Sequence, residues 1–342
     1  MTWENVTEQR IADKKDVEAR LKQWELVDKF RAADEETAKR LDDFLNSGSS
    51  VLDEFDRYNI MYIVYTAKEP FKSLFLKSLD MYRLGDVALK GMPFYTHNGN
   101  KDKSPFATKE TVNLNAETSF YYSDKGPYNG FFHECGHAID YQLGKHTAFS
   151  REYKQKSNYK VMCRDVYANV EKELRMYFKE NPLLDKKQEK IVAKKIMNYV
   201  RNCGRNLNSL KKDEKEIFDV VDERMHKKLK AKGEYIAYSP YVGKMKAYIH
   251  AGISDAYSAV TDNLIAGDKT HANYWFSDKP PYKRTAKQET EMWAHYFSFG
   301  ITGTDEAIEH MRTEFLPRTM KRYDKMAKKM LKKKIKKDKG RC

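Results

Sequence analysis

Gly126-Pro-Tyr-Asn-Gly-Phe-Phe-His133-Glu134-Cys-Gly-His137-Ala-Ile-Asp140-Tyr-Gln-Leu143-Gly144 contains the pattern His-Glu-x-x-His. Residues four apart share one face of a helix, so the two imidazoles can grip one metal ion. Glu134 between them can take a proton from a metal-bound water. The flanks predict the helix. Gly126-Pro127 marks a turn, Asn129-Gly130 a start and Gly144 a stop. Phe132, Cys135, Ile139 and Leu143 form an apolar stripe at helical spacing, and His133 and His137 point away from it. The pattern therefore points to a zinc hydrolase holding one Zn²⁺ per chain.

A catalytic zinc normally takes a third protein ligand. The elongated form of the motif needs Gly at 140 and His at 143; Asp140 and Leu143 exclude it. Asp140, one turn past His137, is a candidate acceptor for a histidine N–H, or a plain surface aspartate. The best third ligand lies 154 positions downstream in Glu289-Thr-Glu291-Met-Trp-Ala-His295-Tyr-Phe-Ser-Phe-Gly300. A carboxylate opening an aromatic helix is rarely buried unless paired or metal-bound, which selects Glu291. Glu289 competes, or is a solvated first-turn acid. His295 is a ligand, a partner behind the ligands or a core histidine; the second is preferred.

His-Glu-x-Gly-His-x-x-Asp followed far downstream by Glu-x-x-Ala-x-x-Phe resembles the gluzincin arrangement of the anthrax lethal factor family. The resemblance implies that Glu291, before Met292-Trp293, is the third ligand. It places the family's next acid on His295 and its catalytic tyrosine on Arg284, two departures. Tyr282, Tyr274, His271, His295 and Arg284 remain candidates for stabilising the oxyanion. Over about residues 105–320, Thr111-Val-Asn-Leu-Asn115, Ile253-Ser-Asp255-Ala-Tyr-Ser258, His271-Ala-Asn-Tyr-Trp275 and the 289–294 segment resemble bacteriophage minor head (head morphogenesis) proteins. Some of these carry a zincin-like domain. That resemblance implies a phage or prophage origin, a place in the virion and capsid or portal partners, but not proteolysis; a polypeptide substrate is what the metallopeptidase motif implies, and a host-cytoplasmic location is expected from the lack of a signal. The expected fold is α+β, predominantly helical. Its zincin-like metallopeptidase domain would hold a small twisted sheet, the motif helix and a large helical insertion.

Composition sets limits. The 342 residues are 40% apolar, 13% aromatic and 33% charged, enough for a packed core in a helix-rich chain. No run of about eighteen apolar residues exists, so no membrane span is expected. The N-terminus lacks a basic-then-apolar signal. Cysteines at 135, 163, 203 and 342 show no Cys-x-x-Cys spacing, which argues against a thiolate zinc site or a disulfide framework. Residues 317–342 carry 13 Lys+Arg and 2 Asp, a balance of +11 out of a total of +14. Such a tail can bind nucleic acid by counterion release, or remain a solvated helix end.

The chain is expected to divide into a helical N-terminal region at 1–92, a metallopeptidase domain at 93–316 with a helical insertion at about 150–250, and a basic tail at 317–342. Residues 6–46 read as one long charged helix, and 51–92 as two or three shorter ones. Val112 and Leu114 alternate with polar neighbours, so Thr111–Asn115 reads as a strand. It is a candidate for the edge strand that pairs with substrate, or an ordinary inner strand. In the insertion, Val166, Val170, Leu174 and Tyr177 make one stripe, and Ile191, Val192, Ile196, Tyr199 and Val200 another.

Overall fold

The computed structural model describes residues 14–47, 52, 54–86, 94–96, 110–114, 128–145, 147–153, 158–183, 185–205, 210–239, 243–248, 250–266, 274–276, 283–285, 287–303 and 305–333. These residues are predominantly helical, as expected. The N-terminal region is built from α1 (Lys14–Ala33), α2 (Glu35–Asn46), α3 (Glu54–Thr66) and α4 (Phe71–Ser78). The single helix expected over 6–46 breaks at Asp34, and residues 6–13 lie outside the described residues. Asp34 leaves helical geometry, with φ −148°, and its Oδ1 accepts from Thr37 N at 3.1 Å. A side-chain cap on an orphan N–H makes Asp a better helix starter than helix interior.

A three-stranded sheet follows, from β1 (Tyr82–Asp86), β2 (Phe94–Thr96) and β3 (Glu110–Leu114). Its order is β1-β3-β2, with β1 parallel and β2 antiparallel to β3. β1 lies where a helix was expected. Tyr82 and Leu84 are buried while Arg83 is exposed, the period-two alternation of a strand. The sheet also corrects the role offered to Thr111–Asn115. β3 is the central strand, its hydrogen-bonding edges taken by β1 and β2, so along its paired residues it is not free to accept a substrate strand.

Next come α5 (Asn129–Leu143) and the single turn α6 (Phe149–Glu152). The stretch between the ligand groups then contributes α7 (Asn158–Glu180), α8 (Lys186–Arg201) and α9 (Lys212–Gly233). Val166, Val170, Leu174, Ile196 and Val200 are buried as expected, whereas Ile191 is exposed. The insertion is not wholly helical. It ends in an antiparallel hairpin of β4 (Glu234–Ser239) and β5 (Gly243–Tyr248). Tyr235, Ile236 and Tyr238 favour strand geometry over continuing α9.

The chain closes with α10 (His250–Thr261), α11 (Gln288–Thr302), α12 (Asp305–His310), a π-helical turn (Met311–Phe315) and α13 (Pro317–Lys332). The basic tail needs correction here: its first sixteen residues are a core helix. Met320, Tyr323, Met326, Ala327 and Met330 of α13 are buried, and Tyr323 donates to Glu289 O at 3.1 Å. The lysines lie on the outer face. Residues 334–342 fall outside the described residues. One hydrophobic cluster runs from Val27 to Met330, across the boundaries expected at 92/93 and 316/317. Its middle is aromatic: Phe71 of α4 packs on Tyr296 and Phe297 of α11, and Trp293 on Tyr323 of α13. Among the described residues no helix is long and apolar enough to cross a membrane.

Candidate metal centre

Two helices form the site. α5 starts at Tyr128, whose left-handed φ of 58° turns the chain into the helix, and stops at Gly144, whose N–H bonds back to Asp140 O. Phe131, Phe132, Cys135, Ala138 and Ile139 are fully buried, which fixes the helix's rotation and puts the two histidines on the facing side. α11 packs across α5 at Gly136. A Cβ there would stand 3.1 Å from Ala294 Cα, so any other residue would have to push the helix backbones a few tenths of an ångström apart.

That approach brings His133, His137 and Glu291 together, their ligand atoms all within 4.8 Å of one another. Nε2 of each histidine is 3.3 Å from the same oxygen, Glu291 Oε2. Two ligands about 2.0–2.1 Å from a tetrahedral zinc stand about 3.3–3.4 Å apart, so these two separations fit that metal. The donor set, two imidazoles and a carboxylate, fits as well. The side chains are 14%, 11% and 18% exposed, mostly dry but reachable from outside.

The electrostatics treat the three groups differently. Burial and the neighbouring imidazole of His295 hold His133 down to about 3, so its ring is neutral with a lone pair to give. Burial works against charge on His137 too, but the Glu291 carboxylate outweighs it and lifts His137 to about 9. Glu291 falls well below the carboxylate range: the histidines overcome its own desolvation. It also sits in the first turn of α11, where the helix dipole favours an anion. Glu134 follows His133 on α5, partly buried, and its charge is felt at both His137 and Tyr274.

Of the oxyanion candidates, Tyr274 is at the centre. Its hydroxyl donates to Glu291 Oε1 at 2.5 Å. Burial and that carboxylate push its pKa up, so it remains a donor. Its ring also packs edge-on against Trp275, at 4.7 Å. Arg284 is directed elsewhere: its guanidinium holds Glu289 at 2.9 and 3.2 Å and lies 4.0 Å over the Tyr159 ring. Glu289 is accordingly a buried ion-pair partner and not a solvated acid. His271 and Tyr282 lie outside the described residues.

Asp140 is not a surface residue either. It is fully buried and accepts from Ser150 N at 2.7 Å and from Ser150 Oγ at 2.5 Å, which anchors α6. It takes no histidine N–H hydrogen bond among the described residues, although its charge acts on His137. His295 is 1% exposed and lies behind His133, ring centroids 4.5 Å apart. Its Nε2 is 2.6 Å from Asp255 Oδ2. The sequence alone assigns Asp255 no role; a lone acid on an Ile-Ser-Asp-Ala-Tyr helix signals nothing until α10 and α11 are seen to cross. No protein-family model, curated protein or solved structure matches this chain.

Proposed function

We propose that the chain is a zinc-dependent metalloendopeptidase of the His-Glu-x-x-His…Glu type, zincin-like in fold and encoded by a phage or prophage, with a role in head morphogenesis. The observation that carries the enzymatic reading is the convergence of His133, His137 and Glu291, with each imidazole Nε2 3.3 Å from Glu291 Oε2, a separation that suits tetrahedral zinc. Bound there, zinc would bring the pKa of a coordinated water towards neutrality and polarise a scissile carbonyl. Glu134 takes the proton and returns it to the leaving amine. Tyr274, already a donor at the ligand carboxylate, supplies a hydrogen bond to the developing oxyanion. The neutral ring of His133 gives its lone pair without first losing a proton.

The reading is tested by zinc per chain and by cleavage of an unstructured protein substrate. Native protein should hold about one zinc, and Glu291→Ala should lose it. Glu134→Gln should keep the zinc and lose cleavage. Zinc retained alongside cleavage that is absent from native protein would leave a structural head component that keeps this fold without proteolysis. The intact Glu134 argues against that alternative, since a purely structural site has no use for it.

A nucleic-acid contact is supported by a separate observation. Every exposed position of α13 is cationic: Arg318, Lys321, Lys325, Lys328, Lys329 and Lys332. The five lysines make no ion pair among the described residues. Like charges at three- and four-residue spacing repel, each pair costing about 0.2–0.5 kcal/mol, which a phosphate backbone would relieve. Changing Lys321, Lys325, Lys328 and Lys332 to Gln should reduce the salt slope of duplex-DNA binding by about 0.9 for each phosphate no longer neutralised. An unchanged slope would exclude this face.

A further inference from the structure

Metal-bound histidines normally donate their second ring N–H to a carboxylate, carbonyl or water, which fixes the ring's rotation. His133 departs from this. Its Nδ1 is buried and has no hydrogen-bond partner among the described residues. The ring meets Glu291 through Nε2 at 3.3 Å, and on the Nδ1 side the described residues offer packing in place of the usual second hydrogen bond.

The surroundings supply it. The His133 ring is boxed between two imidazoles, His137 edge-on at 4.8 Å and His295 tilted at 4.5 Å. His137 is itself a candidate ligand, so the fixed wall must be His295. Three contacts immobilise His295. Its Nε2 lies 2.6 Å from Asp255 Oδ2, and with a carboxylate as acceptor that nitrogen must carry the proton it donates. Its ring stacks on Phe299 at an interplanar angle of 18°. Gly252 of α10 comes close to both rings: a Cβ at Gly252 would stand 3.1 Å from His295 Cγ and Nδ1, and 2.5 Å from Phe299 Cε2. Gly252 and Asp255 lie three residues apart on α10, so one face of that helix both admits the imidazole and anchors it.

We infer that Asp255 and His295 are a positioning pair for His133, acting across the α10–α11 contact to set the ligand ring by packing instead of by the usual hydrogen bond. The inference rests on the metal centre proposed above. Its chain of action is directional: Asp255 fixes His295, and His295 fixes His133. Neither need touch the metal. Residue 295 lies one turn beyond Glu291, so the helix that delivers the carboxylate ligand also delivers the support for an imidazole ligand.

The test uses the full chain and two probes, zinc and cobalt(II), with Asp255→Ala and Asp255→Asn. Asp255 is 27% exposed, which allows substitution without opening the core. Zinc affinity by chelator competition should fall about 10–100-fold in Asp255→Ala. The visible bands of the cobalt-loaded protein should shift and broaden as the His133 ring loses its fixed angle. Asp255→Asn keeps an oxygen that accepts from Nε2–H, and should restore most of the affinity and the native bands. A merely structural role would lower thermal stability in both variants and leave the cobalt spectrum alone. Native affinity and an unshifted spectrum in Asp255→Ala would overturn the inference while leaving the metal centre standing. Native protein that binds neither metal would overturn both.

Discussion

Trp293 Nε1 donates to Gly136 O at 2.9 Å, a buried hydrogen bond that ties the glutamate helix to the histidine helix within one turn of all three ligand atoms. The same glycine gives its missing side chain to that contact, with Ala294 Cα and Phe297 Cβ at 3.1 and 3.3 Å from where a Cβ would be. The separation of α5 and α11 is therefore set where it matters for the metal. Gly136→Val should force the helices apart and cost about 1–3 kcal/mol by overpacking. Because Glu291 rides on the displaced helix, zinc affinity should fall by more than this loss of stability alone would produce. Isothermal titration on the folded variant would decide. Native affinity in Gly136→Val would mean that the spacing is set elsewhere.

Zinc uptake should depend on pH through His137. In the metal-free protein this ring keeps its proton to about pH 9 because Glu291 faces it. A metal can use the lone pair only after that proton leaves. Below about 9 each zinc therefore displaces one proton, and apparent affinity should rise about tenfold per pH unit, levelling off above that value. His133, held at about 3, contributes no slope in this range. Competition with a chelator of known proton affinity between pH 6 and 9 would measure it. A flat profile would show that His137 is not a ligand or is not paired with Glu291.

The trio that could hold a metal is legible in the sequence because its signals are largely local. His133 and His137 need only helical spacing; Glu291 is singled out over Glu289 as an acid opening an aromatic helix and by the gluzincin resemblance. What escaped was set by tertiary crossing or hidden by composition. Asp255 meets His295 only because α10 and α11 pack closely at Gly252. The lysines of 317–332 drew attention from Met320, Tyr323, Met326 and Met330, whose spacing is that of a buried helix face. β1 is five residues long and includes Gly85 and Asp86, poor strand formers, so its pairing with β3 decides what its propensity does not. Asp34 was readable: an Asp followed by two glutamates is a helix start, and the apolar pattern running past it concealed the break.

Asp140 gives a second pH effect, of opposite sign to that on zinc uptake. Its ordinary value is 3.8; burial raises it to about 7 in the folded chain, against the pull of the Ser150 hydrogen bonds. Between these two values the folded protein holds a proton that the unfolded chain releases. Stability should therefore fall as pH rises from about 4 to 7, by up to about 4 kcal/mol, and this contribution should be level above that. Asp140→Asn can still accept from Ser150 N but cannot ionise. Chemical denaturation with a metal chelator present should show the native protein losing stability relative to the variant across that window. Parallel profiles for the two proteins would mean that Asp140 ionises normally in the folded state.

Tyr274→Phe separates chemistry from packing at the last polar group of the site. The substitution keeps the ring, and with it the edge contact to Trp275 and the Lys287 ammonium 3.9 Å from the ring centroid. It removes only the hydroxyl that donates to Glu291 Oε1. Glu291 still has Oε2 turned to the histidines, so about one zinc per chain should remain. If the hydroxyl stabilises the oxyanion, kcat should drop about 10²–10³-fold with KM little changed, because that interaction is made only in the transition state. If Tyr274 serves only to pack on Trp275, kcat should stay native. A loss of zinc together with activity would assign the hydroxyl instead to orienting Glu291, and the oxyanion donor would then have to be sought among His271 and Tyr282.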